Sequence, residues 1–251
     1  MTLLEALAVV VAGLGAGAIN AIVGSGTLIT FPTLLAVGYP PVLANVSNTV
    51  GLVPGSVSGV VGYRRELAGQ RSRLVRLGTA SLLGGISGAV LLLTLPEAAF
   101  DAIVPVLIGL GCLLVLVQPQ ITARLSPKES APPHGSVIVW VLVFVAGVYG
   151  GYFGAAQGVL LIAILGLGLA ETMQRINAAK NTLALLVNGV AAVVFIVVSD
   201  IAWVAVGLVA GGSVVGGLLG ATVGRRLPPL VFRVLVAVVG LVAIVALVFF
   251  D

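Results

Sequence analysis

Ile22-Val23-Gly24-Ser25-Gly26-Thr27-Leu28 interrupts an apolar stretch that otherwise runs from residue 3 to residue 38. A second such stretch, 136 to 170, is interrupted by Gly150-Gly151-Tyr152-Phe153-Gly154 and resumes after Ala155-Ala156-Gln157-Gly158. Glycine has the widest backbone freedom and no side chain to pack, so clusters of it inside apolar sequence end one helix and open the next. Each stretch is predicted to be a hairpin of two short helices. Around them, the runs 41 to 63, 72 to 95, 99 to 119, 174 to 198, 203 to 223 and 229 to 250 each reach the roughly 20 residues a bilayer crossing needs.

The whole composition agrees with that pattern. Over 251 residues, 60% are hydrophobic and 8% charged, a balance that water could not solvate. The expected fold class is all-α integral membrane, with roughly ten helical segments. The run from Leu3 to Val23 has no basic leader before it and reads as a retained first helix rather than a cleaved signal peptide.

The chain is also predicted to be duplicated. Gly15, Gly26, Leu28, Asn45, Gly84, Gly85, Gly88, Ala89, Leu95, Pro96 and Phe100 recur 132 residues later as Gly147, Gly158, Leu160, Asn177, Gly216, Gly217, Gly220, Ala221, Leu227, Pro228 and Phe232. Asn45-x-x-Asn48-Thr49 is answered by Asn177-x-x-x-Asn181-Thr182, with one inserted residue, and these four are most of the chain's six asparagines. The proline-rich polar stretch 120 to 135 divides the halves. The expected organisation is an N-terminal repeat over 1–119, a cytoplasmic linker over 120–135 and a C-terminal repeat over 136–251, together one membrane domain.

Charge sets the expected topology. The 12 basic and 8 acidic residues report orientation rather than a nucleic-acid partner. With the loop from Arg64 to Arg76 cytoplasmic, and 136–170 a hairpin starting and ending on that face, the linker basic residues Arg124 and Lys128 fall there too. So do Arg175, Arg225, Arg226 and Arg233, while Glu5, Glu97, Asp101, Asp200 and Asp251 fall outside. Both termini are then outside and the repeats are inverted, each a broken-helix hairpin plus three long helices. Inverted repeats characterise secondary transporters.

In such folds substrates sit near the midplane, where broken helices present free amides and dipole ends. Gly24, Ser25, Gly26 and Thr27 open a short helix able to receive an anion, and Gln157 and Gly158 hold the equivalent place in the second half. These glycines also serve simply to turn and pack the chain. Asn45, Asn48, Asn177 and Asn181 suit donation to an oxyanion without burying a charge; helix capping and interhelical bonding suit them too. Lys180 either neutralises an anion or snorkels to the interface. Asn20, Tyr152 and Asn188 complete the candidates. Gly84-x-x-x-Gly88 and Gly216-x-x-x-Gly220-x-x-x-Gly224 read as ridges for close helix packing.

Other chemistry finds little footing. Cys112 and His134 are each the sole residue of their type, so neither a disulfide nor a Cys/His metal site is expected. No catalytic constellation or nucleotide motif is present, and no acid lies inside a span. The chain is expected not to be an enzyme and to need no cofactor.

The run Gly15-Ala16-Gly17-Ala18-Ile19-Asn20-Ala21-Ile22-Val23-Gly24-Ser25-Gly26-Thr27-Leu28, then Ala44-Asn45-Val46-Ser47-Asn48-Thr49, with their echoes Gly147 to Leu161 and Asn177 to Asn181, resembles the sulfite exporter TauE/SafE family of sulfonate uptake permeases. The resemblance covers essentially the whole chain; Ser25 stands where that family commonly has glycine. It implies a secondary transporter in a bacterial inner membrane, moving sulfite, thiosulfate or an organosulfonate by alternating access. A channel-like facilitator of small anions and a non-transporting scaffold are the competing readings. The expected partners are that anion and the lipid bilayer, with homo-oligomerisation open.

Overall fold

The computed structural model describes residues 1–123, 134–222 and 229–249. Most of the expected linker, with Arg124, Lys128 and Pro127, Pro132 and Pro133, lies outside them, as do Gly224, Arg225, Arg226, Leu227, Pro228 and Asp251, and the side chains of Phe232 and Arg233. The elements are all helical among the described residues: α1 (Leu3–Ile22), α2 (Thr27–Ala36), α3 (Pro41–Gly62), α4 (Arg71–Thr94), α5 (Glu97–Ala123), α6 (Val137–Tyr152), α7 (Gln157–Gly168), α8 (Met173–Val198), α9 (Trp203–Thr222) and α10 (Pro229–Phe249).

Local chemistry explains the boundaries. Thr2 and Glu5 form a capping box that opens α1, and the Ser136 hydroxyl accepts from the Val139 amide to open α6. Both helices then end alike. The amides of Val23 and Gly24 converge on the Ile19 carbonyl, and those of Phe153 and Gly154 on the Tyr149 carbonyl. Gly24 and Gly154 reach this geometry at φ of +89° and +76°, which glycine adopts without steric cost.

Two expectations are adjusted. The first hairpin is not two short helices, because α1 alone has 20 residues and enough hydropathy to cross a membrane. α5 runs through Pro119 to Ala123, entering the stretch read as linker.

Among the described residues α1, α4, α5, α8 and α9 are long and apolar enough to span. α3 has the length, but carries Asn45, Ser47, Asn48, Thr49, Ser56 and Ser58. It packs on α8 and α9 and buries most of that polarity inside the protein. The outer helices do the reverse: Val106, Leu113, Val197, Val204 and Leu241 are each more than half exposed. Apolar side chains exposed along several long helices require lipid as their solvent.

The halves interlock. α1 packs on α9 as α6 packs on α4, α3 on α9 as α8 on α4, and α2 on α10 as α7 on α5; α3 meets α8 and α5 meets α10. Exchanging the halves maps this set onto itself. The recurring glycine ridges bring helix backbones into direct contact. A Cβ at Gly84 or Gly88 would lie 2.3 or 2.1 Å from the carbonyl oxygens of Phe144 and Val148 on α6, and one at Gly216 or Gly220 would lie 1.9 or 2.5 Å from those of Leu14 and Ala18 on α1. These pairs are parallel, since residue numbers rise together along both helices.

The basic segment 68–76 gathers both ends of the second hairpin. Arg76 donates to the Gly135 carbonyl at 2.9 Å and Ser72 meets His134. Arg73 pairs with Glu171 at 3.0 Å, Glu171 with Arg175 at 2.6 Å, and Arg175 donates to the Ala68 carbonyl. Burial alone would raise the Glu171 carboxyl, but the hydrogen bonds and charges of Arg175 and Arg73 hold it below the usual carboxylate range. At the opposite end, Pro40, Leu95, Glu97, Ser199 and Asp200 line a common crevice.

Candidate functional site

The two glycine breaks touch. The Gly158 amide donates to the Gly24 carbonyl at 3.0 Å, and a Cβ on either glycine would fall 2.4 Å from the other's Cα. Both residues must be glycine for backbones to meet at this distance.

Beside this contact lies a polar cavity of about 20 Å³, walled by Asn20, Ala21, Gly24 and Thr27 from the first hairpin and Gly154, Gln157 and Gly158 from the second. α3 adds Gly55, Ser56 and Gly59, and α8 adds Asn181, Ala184 and Asn188. Its polar groups are neutral: amides, hydroxyls and backbone. Gln157 is 3% exposed and its Nε2 has no partner; a Cβ at Gly150 would collide with it at 2.3 Å, so Gly150 makes the room Gln157 occupies. A buried donor without an acceptor costs free energy that an incoming acceptor would recover.

Two of the amides at the breaks expected to receive an anion are already engaged. The Gly26 amide donates to Asn20 Oδ1 at 2.6 Å, and that of Gly158 to Gly24. The polar side chains in the lining are Asn20, Thr27, Ser56, Gln157, Asn181 and Asn188.

The remaining candidates stand behind the wall. Where α1 breaks, its last carbonyls lose their helical partners. Three α8 side chains supply new ones. Asn177 and Asn181 Nδ2 each donate to the Ala21 carbonyl at 3.2 Å, and Lys180 Nζ donates to the Asn20 carbonyl at 2.9 Å and to that of Ala21 at 3.4 Å. Asn177 also donates to the Tyr63 hydroxyl at 2.7 Å. The other half repeats the arrangement in simpler form, Asn45 Nδ2 donating to the Tyr152 carbonyl at the end of α6 at 2.9 Å. Each half's asparagine helix thus caps the other half's broken helix.

Asn48 instead binds its own half's hairpin, through Thr30 and Thr27. Ser25 is fully buried with its hydroxyl unpartnered and does not line the cavity. The Tyr152 ring packs on Phe100. Lys180 is 0% exposed, so it does not snorkel to the interface.

Ser56, Gly55, Gly59 and Ala184 were not among the expected residues. One sequence signal points to Ser56: it stands 132 residues before Asn188, the offset relating the halves. Ser25 and Gln157 share that offset.

Apolar helices around two broken hairpins, which meet tip to tip beside a small cavity with neutral polar groups in its wall, make up a polytopic membrane protein of the transporter class. More specifically, the chain belongs to the sulfite exporter TauE/SafE family, whose model matches residues 9–247. It is similar to the probable membrane transporter protein YfcA of Escherichia coli, 28% identical over 220 residues, covering 84% of this chain and 76% of that protein. A probable membrane transporter protein of Haemophilus influenzae is 27% identical over 214 residues, covering 83% and 81%. The probable membrane transporter protein ORF9 of a Sinorhizobium species is 29% identical over 220 residues, covering 86% and 80%.

Proposed function

We propose that this protein is a secondary transporter, not an enzyme, that carries sulfite, thiosulfate or a small organosulfonate across a bacterial inner membrane by alternating access. The observation that carries the reading is the cavity beside the Gly24 to Gly158 contact, lined by Gln157, whose buried Nε2 is unpartnered. Asn20, Thr27, Gln157 and Asn181 are its substrate-binding side chains, with Gly24 and Gly158 giving backbone access. Ser25, Gly26, Asn45, Asn48, Tyr152, Asn177 and Lys180 hold the tips. Neutral amides suit an oxyanion that must be released again, because they donate hydrogen bonds without the lasting attraction of a fixed charge.

The halves are inverted. Support comes from the ends of the hairpins: those of the second meet the 68–76 segment, while α1 runs parallel to α9, which starts beside the Ser199 and Asp200 crevice. Hairpins entering from opposite ends and touching at their tips form a site reachable from either face by rocking one half against the other. The basic loops are cytoplasmic and the termini outside. At about 20 Å³ the cavity suits little more than a water, so loading requires the tips to part.

The test is reconstitution into proteoliposomes with labelled sulfite, thiosulfate or sulfoacetate. Saturable counterflow of at least one is expected, with a thermal shift of the detergent-solubilised protein by the same anion. Linear, non-saturating flux would turn the reading to a facilitator. Neither flux nor shift with any of the three would end it.

A further inference from the structure

A buried cation needs an explanation that the neutral cavity does not supply. Lys180 is 0% exposed, yet among the described residues no ion pair includes it. Its Nζ donates to the carbonyls of Asn20 and Ala21, the last turn of α1 before the Gly24 break. That helix end concentrates orphan carbonyls and the negative end of the helix dipole. In transporters built from broken helices, such C-terminal ends are where a coupling metal cation is coordinated.

We propose that the Lys180 ammonium is a tethered substitute for that coupling ion, filling the cation site at the broken end of α1, so that the protein uses no Na⁺ there. The hydrogen bonds of the nitrogen run to carbonyl acceptors, as an ammonium requires, and the Asn177 and Asn181 amides add two more donors to the Ala21 carbonyl.

The two halves differ at this point. Counted without the inserted residue that pairs Asn48 with Asn181, the 132-residue offset sets Lys180 against Asn48, whose neutral amide turns to Thr27 and Thr30, while Asn45 donates to the end of α6. One broken helix carries a fixed cation and the other does not. Asn20 joins this site to the cavity, because its carbonyl holds Lys180 while its side chain accepts from Gly26 and lines the wall. Lys180 is therefore a positioning residue, acting on the substrate through Asn20.

Chemical rescue tests this. Lys180→Ala removes the atoms of n-propylammonium, and adding that amine should raise the thermal midpoint of the variant by several degrees while leaving the wild type unmoved. Lys180→Met keeps the stem and loses the charge; its counterflow should fall at least about tenfold, with Lys180→Arg retaining more. Wild-type stability should be the same in Na⁺, K⁺ and choline media. The proposal is overturned by absence of amine rescue, by wild-type counterflow in Lys180→Met, or by selective stabilisation of the wild type by Na⁺. The last arm stands even where the variants do not fold. The inference rests on the transport reading only in its flux arm: failed rescue would sink the tethered cation alone, whereas absent wild-type counterflow would sink the transport reading.

Discussion

The Gly158 amide donates to the Gly24 carbonyl at 3.0 Å, making the tip of one half's hairpin a hydrogen-bonded neighbour of the other's. The cavity lies beside this junction. Because each Cα would sit 2.4 Å from a Cβ on the other residue, Gly158→Ala must push the tips apart. A cost of about 1–3 kcal/mol is expected, read as a lowered thermal midpoint, with loss of the anion-induced shift. A variant as stable as wild type that still responds to anion would remove the junction from the site.

Gln157 separates binding from stability. Its Nε2 is buried without an acceptor, so replacing the amide by a side chain of similar size removes an unsatisfied group. Gln157→Met should match or exceed wild-type stability without ligand and lose the shift given by sulfur oxyanions. Lower apo stability together with a full anion response would mean that Gln157 only packs.

Asn177 and Asn181 share one acceptor, the Ala21 carbonyl. Removing either should cost about 1–3 kcal/mol, but the second removal acts on a carbonyl already stripped of one donor. Unfolding of both single alanine variants and the double variant is expected to give a coupling energy of at least about 0.5 kcal/mol. Strict additivity would contradict the shared cap.

The Glu171 carboxyl supplies an acid limb to stability. Its folded pKa lies below the ordinary 4.5, so its contribution is fully present above that value and is lost as pH falls through the lower folded value. A thermal midpoint followed from about pH 6 to about pH 3 should fall more steeply for wild type than for Glu171→Gln, which has no such proton to take up. Parallel profiles would show that the Arg73 and Arg175 contacts contribute nothing to pH dependence.

Much of the fold is legible because it depends on local chemistry. Runs of apolar residues of spanning length become helices wherever lipid surrounds them, so α4, α8 and α9 fall within a residue of expectation. The glycine clusters mark both breaks, since no other residue takes positive φ as readily. The 132-residue recurrence carried the packing ridges as well: Gly84 and Gly216 recur in sequence and make equivalent contacts in space.

What sequence alone could not sort was which polar residue does what. Asn45, Asn48, Asn177 and Asn181 share a residue type and a spacing, yet one caps α6, two cap α1 and one holds a threonine pair. Only Asn181 of the four reaches the cavity. The partner of each depends on which helix of the other half lies alongside, and the Ala21 carbonyl is 156 residues from Asn177. Lys180 shows the same limit: nothing in its neighbours along the chain distinguishes a cation at the interface from one sealed against a helix end. Hydropathy and glycine placement, being properties of single segments, settled the class and the breaks. The division between cap, cavity wall and buried charge was decided by the interlocking of the halves, because a hydrogen bond needs its partner's position in space.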